Sequence, residues 1–64
     1  MITKLDFYHE KKIAIHIDCL NGKYYNGLII EIGDKLLVLL DRVVGEMPIP
    51  LSEIDNVEKY RGDL

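Results

Sequence analysis

Glycine spacing is the feature that most limits how this chain can fold. Between Cys19 and Asp41 it reads CLNGKYYNGLIIEIGDKLLVLLD, with Gly22 closing an Asn21-Gly22 turn and Gly27 interrupting an apolar strand. Asn-Gly between two β-rich runs signals a hairpin, and a glycine inside a strand marks a sharp bend or a close approach of another backbone. The stretch therefore reads as the bent centre of a very small β-barrel.

Before the turn, Ile13, Ile15, Ile17 and Cys19 alternate with Ala14, His16, Asp18 and Leu20, the two-residue period of a half-buried strand with its isoleucines facing inward. Two registers follow from the turn. A two-residue type I′ turn sets Ile17 opposite Asn26 and Ile15 opposite Leu28, which places an amide among the isoleucines. A three-residue loop of Leu20, Asn21 and Gly22, with Gly22 left-handed in a bulge, sets Ile17 opposite Tyr25, Ile15 opposite Gly27 and Ile13 opposite Ile29. The second register keeps the core apolar and is preferred.

The second strand, Lys23 to Ile32, then sends Leu28 and Ile30 to the opposite face, which an N-terminal turn, a partner subunit or a ligand must cover. Gly33-Asp34 makes the next turn, and Leu36 to Leu40 reads as a strand buried on both faces. After a reversal near Gly45, Met47-Pro48-Ile49-Pro50-Leu51 alternates apolar residues with prolines. Alternate residues of an antiparallel strand direct their N–H groups to one side, so Pro48 and Pro50 remove donors from one edge only. That side is expected at a sheet edge, with Met47, Ile49 and Leu51 pairing inward. Ser52, Glu53 and Ile54 suit a 3₁₀ turn, Val57 to Tyr60 a last strand, and Arg61 to Leu64 a tail. At the start, Ile2, Leu5 and Tyr8 sit three apart, which favours one or two helical turns over Met1 to Glu10, capped by Thr3, with Asp6 in the first turn and Leu5 and Tyr8 laid over an open end of the barrel.

Length makes such a barrel demanding. A chain of 64 residues has room for one domain, spanning 1–64, and buries only about 60% of its unfolded surface, so the core must be dense; 48% apolar residues meet that need. The lone Cys19 can form no internal disulfide and reads as a small buried thiol in a reducing, intracellular setting. No apolar run approaches the length of a membrane span, and the charged residues from Asp6 to Lys12 leave no secretory core, so the protein reads as soluble and cytoplasmic with no membrane partner. Eight basic against eleven acidic residues give a net charge of −3, unfavourable for holding a polyanion without a local basic patch. The fold class is all-β, a small five-stranded SH3-like barrel with a short N-terminal helical turn.

Ile13, Ile15, Ile17, Gly22, Lys23, Tyr25, Gly27, Ile29, Ile32 and Asp34 together resemble the first motif of the Sm-like (LSm) family of five-stranded barrels, most specifically in Gly22-Lys23-x-Tyr25-x-Gly27. Arg61-Gly62-Asp63 looks like the family's second motif, without the strand that follows it there. The resemblance covers Lys12 to Leu51 and implies an N-terminal helix, rings joining the fourth strand of one subunit to the fifth of the next, and single-stranded, uridine-rich RNA around a central pore. It adds Asp34 and Gly62 to the candidate RNA-binding residues. The Asn that usually follows the acidic turn is replaced here by Leu36, Leu37 and Val38, and Pro48 and Pro50 deplete the edge a ring would pair.

Chemistry read from the residues is sparse. His16 and Asp18 share a strand face, but no further convergent ligands can be named for a metal, nor a nucleophile, base and orienting group for catalysis. An enzyme is not expected, nor is a cofactor. Lys23, Tyr24 and Asn26 with the distant Arg61 suit a stacking and phosphate-contact surface for single-stranded RNA, with Tyr24 exposed and Tyr25 in the core. The rival reading is a protein-interaction module whose surface is formed by Leu28, Ile30, Met47 and Ile49.

Overall fold

The computed structural model describes residues 2–62, the side chains of Ile2 and Thr3 excepted, so Met1, Asp63 and Leu64 of the two end segments lie outside the described residues. A helix, α1 (Ile2–Glu10), precedes five strands: β1 (Ile15–Cys19), β2 (Tyr24–Ile32), β3 (Leu36–Asp41), β4 (Gly45–Pro50) and β5 (Ile54–Lys59), with a 3₁₀ turn at Leu51–Glu53. The strands form one antiparallel sheet in the order β4-β3-β2-β1-β5. Its centre is β2, which pairs with β1 through its first half and β3 through its second.

The preferred hairpin register is the observed one. Ile15 faces Gly27 and Ile17 faces Tyr25. The loop closes because the Cys19 N–H donates to the Lys23 carbonyl at 2.8 Å and the Gly22 N–H to the Cys19 carbonyl at 3.0 Å, with Gly22 at φ +88°. Only glycine adopts that angle at no steric cost. Gly27 marks a close approach: it lies opposite Asp41, and a Cβ built there would overlap the carbonyl oxygen of Leu40. Two pairs further along, β2 carries an extra residue, Ile30, between the Ile29–Leu39 and Glu31–Val38 pairs, a bulge that increases local twist.

Inside the curved sheet sit Ile15, Ile17, Cys19, Ile29, Leu37, Leu39, Ile49, Ile54 and Val57, joined by Leu5 from α1. Tyr8 and Tyr25 pack against this cluster. The helix is longer than the sequence suggests, running nine residues from Ile2. It therefore includes Thr3 rather than being capped by it, and Asp6 falls outside its first turn. Its other end closes as a Schellman turn: Ile13 N–H donates to Tyr8 at 3.0 Å and Lys12 N–H to His9 at 3.2 Å, with Lys12 itself left-handed at φ +56°.

β3 departs from expectation. Leu37 and Leu39 are fully buried, but Leu36 and Leu40 on its other face are 40% and 46% exposed. The reason is that α1 drives Leu5 into the core instead of lying across the outer face of β2 and β3. Met47 is half-buried against the core and Ile49 is 3% exposed, so both point inward and neither belongs to the outer interaction surface to which the sequence assigned them.

Both sheet edges have a defined polarity. Leu51 N–H donates to Lys35 at 2.8 Å, which fixes the odd-numbered N–H groups of β4 toward β3 and turns Pro48 and Pro50 to the free side, as expected. On the other edge, Tyr60 N–H donates to Ala14 at 2.9 Å, so Val57 directs its backbone away from β1; there its carbonyl accepts from the Lys4 ammonium at 2.6 Å. β5 itself begins at Ile54, three residues before the expected Val57, because the 3₁₀ turn is complete at Glu53.

Candidate nucleic-acid interface

The β1–β2 register assembles a polar face on the outside of the hairpin. His16 lies opposite Asn26 and Asp18 opposite Tyr24, while β5 brings Glu58 and Asn56 beside the same two β1 residues. His16 Nδ1 lies 2.5 Å from Asn26 Oδ1, and its Nε2 lies 3.0 Å from Asp18 Oδ1. The imidazole also sits 5.5 Å from the Tyr24 ring, tilted by 35°, and leaves Tyr24 63% exposed. The His16 pKa is raised, first by the hydrogen bond to Asn26 and then by the Asp18 hydrogen bond and the charges of Asp18 and Glu58, against an opposing contribution from burial.

Beside this face a cleft of about 530 Å³ is lined by Tyr24, Tyr25, Asn26, Asp41, Arg42, Val43 and Val44. Asp41 builds its wall. Its carboxylate accepts from the backbone N–H of Asn26 at 3.0 Å, Val43 at 2.8 Å and Val44 at 3.0 Å, and Arg42 N–H returns a bond to Asn26 O at 3.0 Å. Burial raises the Asp41 pKa, but the three N–H donors and the Arg42 charge outweigh it and hold the carboxyl below its ordinary value. The β3–β4 loop is thereby pinned to the start of β2, and Val43 and Val44 stand exposed at the rim.

Arg42 also reaches Tyr60, donating to the phenol oxygen at 2.6 Å with its guanidinium 5.9 Å from the ring centre. Tyr60 also touches the last described residues, since a Cβ on Gly62 would meet its hydroxyl at 2.6 Å. Of the RNA-binding residues inferred from sequence, Tyr24 and Asn26 thus line the cleft, and Lys23 stands exposed beside them in the hairpin loop. Arg61 and Gly62 are linked to it through Tyr60. Asp34 lies in the β2–β3 turn, beyond the other end of β2, and is not brought to the cleft.

Sequence reasoning missed Asp41 and Arg42. An Asp ahead of a chain reversal is a known turn signal, and could have marked Asp41. The Arg42–Tyr60 contact depends on sheet curvature and has no local signature. A second, smaller hollow of about 280 Å³ lies between the helix end and the outer face, lined by His9, Lys12, Leu28, Ile29, Ile30 and Leu40. Here His9 Nε2 lies 3.1 Å from the Ile30 carbonyl, and Leu28 faces Leu40 across the strands. Leu28 and Ile30 are thus surface residues, as the sequence suggested, with Leu36 and Leu40 in place of Met47 and Ile49.

Cys19 is buried and free, its pKa raised chiefly by desolvation, the inert thiol expected. Among the described residues no helix is long and apolar enough to cross a membrane. No protein-family profile matches the chain, and no curated protein resembles it in sequence. Its backbone is similar to that in the 1.55 Å crystal structure of the pleiotropic translational regulator Hfq, with a TM-score of 0.79 and 18% identity over 88% of this chain and 92% of that one. With five antiparallel strands in one curved sheet behind a short N-terminal helix, the chain has the Sm-like fold.

Proposed function

We propose that this protein is a non-enzymatic, cytoplasmic Sm-like barrel that associates with single-stranded RNA at the Tyr24 cleft. The observation that carries the reading is the exposed Tyr24 ring, braced by His16 and set at the mouth of a cleft that also holds Asn26 and the Arg42 guanidinium. An aromatic face stacks on any base, and a guanidinium nearby meets phosphate or base edges. Lys23 in the hairpin loop and Arg61, next to Tyr60 in the chain, add the positive charge that a chain of net charge −3 requires for such a ligand. Similarity of fold to a translational regulator supports the same class of ligand but does not establish it.

Fluorescence anisotropy with labelled oligo(U) and oligo(A) at low salt tests this. Binding that weakens with salt, and that Tyr24→Ala reduces by about tenfold, is the expected result. No binding at tens of micromolar protein overturns the reading.

One observation favours a protein partner instead. Leu28, Ile30, Leu36 and Leu40 form an exposed apolar strip on the outer face of β2 and β3, which suits an adaptor surface. A pull-down that recovers a defined protein after nuclease treatment, and that Leu40→Lys abolishes while RNA binding is absent, would decide for it.

A further inference from the structure

The hydrogen bonds around His16 are incomplete for a neutral ring. Both of its nitrogens face oxygens: Nδ1 meets Asn26 Oδ1 at 2.5 Å and Nε2 meets Asp18 Oδ1 at 3.0 Å. A neutral imidazole carries one N–H, and only the imidazolium donates from both nitrogens. With the ring protonated, Asn26 is held by its oxygen, and its Nδ2, which has no protein partner among the described residues, is left to donate elsewhere.

Losing one proton to solvent changes this. Asp18 as a carboxylate can only accept, so Nε2 keeps its proton and Nδ1 becomes an acceptor. Asn26 satisfies that acceptor only by turning its amide end for end, donating from Nδ2 to the ring and presenting Oδ1 outward. One proton on His16 therefore inverts the group that Asn26 offers.

Resting on the RNA reading, the geometry points to His16 as a positioning residue: through Asn26 it sets whether the site beside Tyr24 offers a donor, suited to keto-edged bases, or an acceptor, suited to amino-edged ones. Uracil and cytosine make the cleanest contrast, since they stack alike and differ at position 4, carbonyl in one and amino in the other. The groups facing His16 are Asp18 on its own strand, Tyr24 and Asn26 on β2, and Glu58 on β5, where Asn56 Nδ2 contacts Glu58 at 3.4 Å. The carboxylates of Asp18 and Glu58 both act on the ring and favour its protonated form.

The test uses the whole protein from about pH 5.5 to about pH 8.5, a window that spans histidine titration. NMR of the RNA-free protein follows the Asn26 side-chain amide and the His16 ring together. Anisotropy measures oligo(U) and oligo(C) at each pH. The amide resonance is expected to shift with the His16 midpoint, and the U-over-C preference to fall about fivefold through the same midpoint, the worth of one hydrogen bond. His16→Phe, which keeps an aromatic neighbour for Tyr24 but no N–H, should leave both readouts flat with pH. An Asn26 amide indifferent to His16 titration overturns the positioning role. An amide that follows His16 while oligo(U) and oligo(C) bind alike at every pH overturns base selection. If neither oligonucleotide binds but the amide follows His16, the RNA reading and base selection fall and the positioning role stands.

Discussion

At the scale of single residues, three titratable or strained positions give measurable handles. His16 has a raised pKa in the folded state, so its stabilising contribution is full below the unfolded value of 6.5 and is lost as pH rises through the folded one. Chemical denaturation should therefore show stability declining from about pH 6 toward pH 8, a slope absent in His16→Phe. Asp41 has the opposite sign: its lowered pKa contributes stability above 3.8 that is lost as pH falls through the folded value. Asp41→Ala strands three backbone donors, and should cost more than about 2 kcal/mol by urea melt, with the β3–β4 loop losing protection from hydrogen exchange. Lys12 occupies a left-handed position that glycine fills without strain, so Lys12→Gly should raise stability by up to about 1 kcal/mol. The sequence showed His16 sharing a face with Asp18 and offered a turn signal at Asp41, but not the bonds that make these positions matter. The strain at Lys12 comes from where α1 stops, and the pairing of Asn26 and Asp41 with distant neighbours comes from the sheet.

At the scale of elements, the β1–β2 hairpin was legible almost residue for residue. Two local facts sufficed: an amide cannot sit among isoleucines without cost, and Gly22 permits the left-handed loop that avoids it. Gly27 was legible for the same kind of reason, as a place where backbone had to come close. Gly27→Val should cost at least about 3 kcal/mol, because the new side chain would collide with the main chain at Leu40 rather than with a side chain that can move aside. A melting midpoint within a few degrees of wild type would refute that account. What the sequence misjudged was cover. An all-apolar run such as Leu36 to Leu40 reads as buried on both faces, yet hydrophobicity says nothing about whether another layer is present, and here α1 leaves half of β3 in solvent. Helix limits were missed as well, because Thr3 and Asp6 carry the right chemistry for an N-terminus in a position the helix has already passed.

For the whole molecule, the sheet has two open edges with unequal hydrogen-bonding capacity. The free side of β4 is depleted of N–H groups by Pro48 and Pro50, while the free side of β5 keeps its donors and has its Val57 carbonyl already engaged by Lys4. Restoring the missing donors with a Pro48→Ala, Pro50→Ala double variant should increase self-association, read as a higher mean mass by light scattering at equal concentration; an unchanged mass would mean that these edges do not govern assembly. The prolines were legible as edge markers because their effect is covalent and local. The engagement of the opposite edge was not, since it depends on a lysine from α1 reaching a carbonyl on β5.

A rule about meeting one's own kind follows from those two prolines. Were two copies to approach with matching β4 sides, carbonyl oxygens would meet no donors at Pro48 and Pro50, so symmetric pairing through that side is disfavoured for this chain. The contact favoured there is with something that brings the hydrogens: a dissimilar strand, or water.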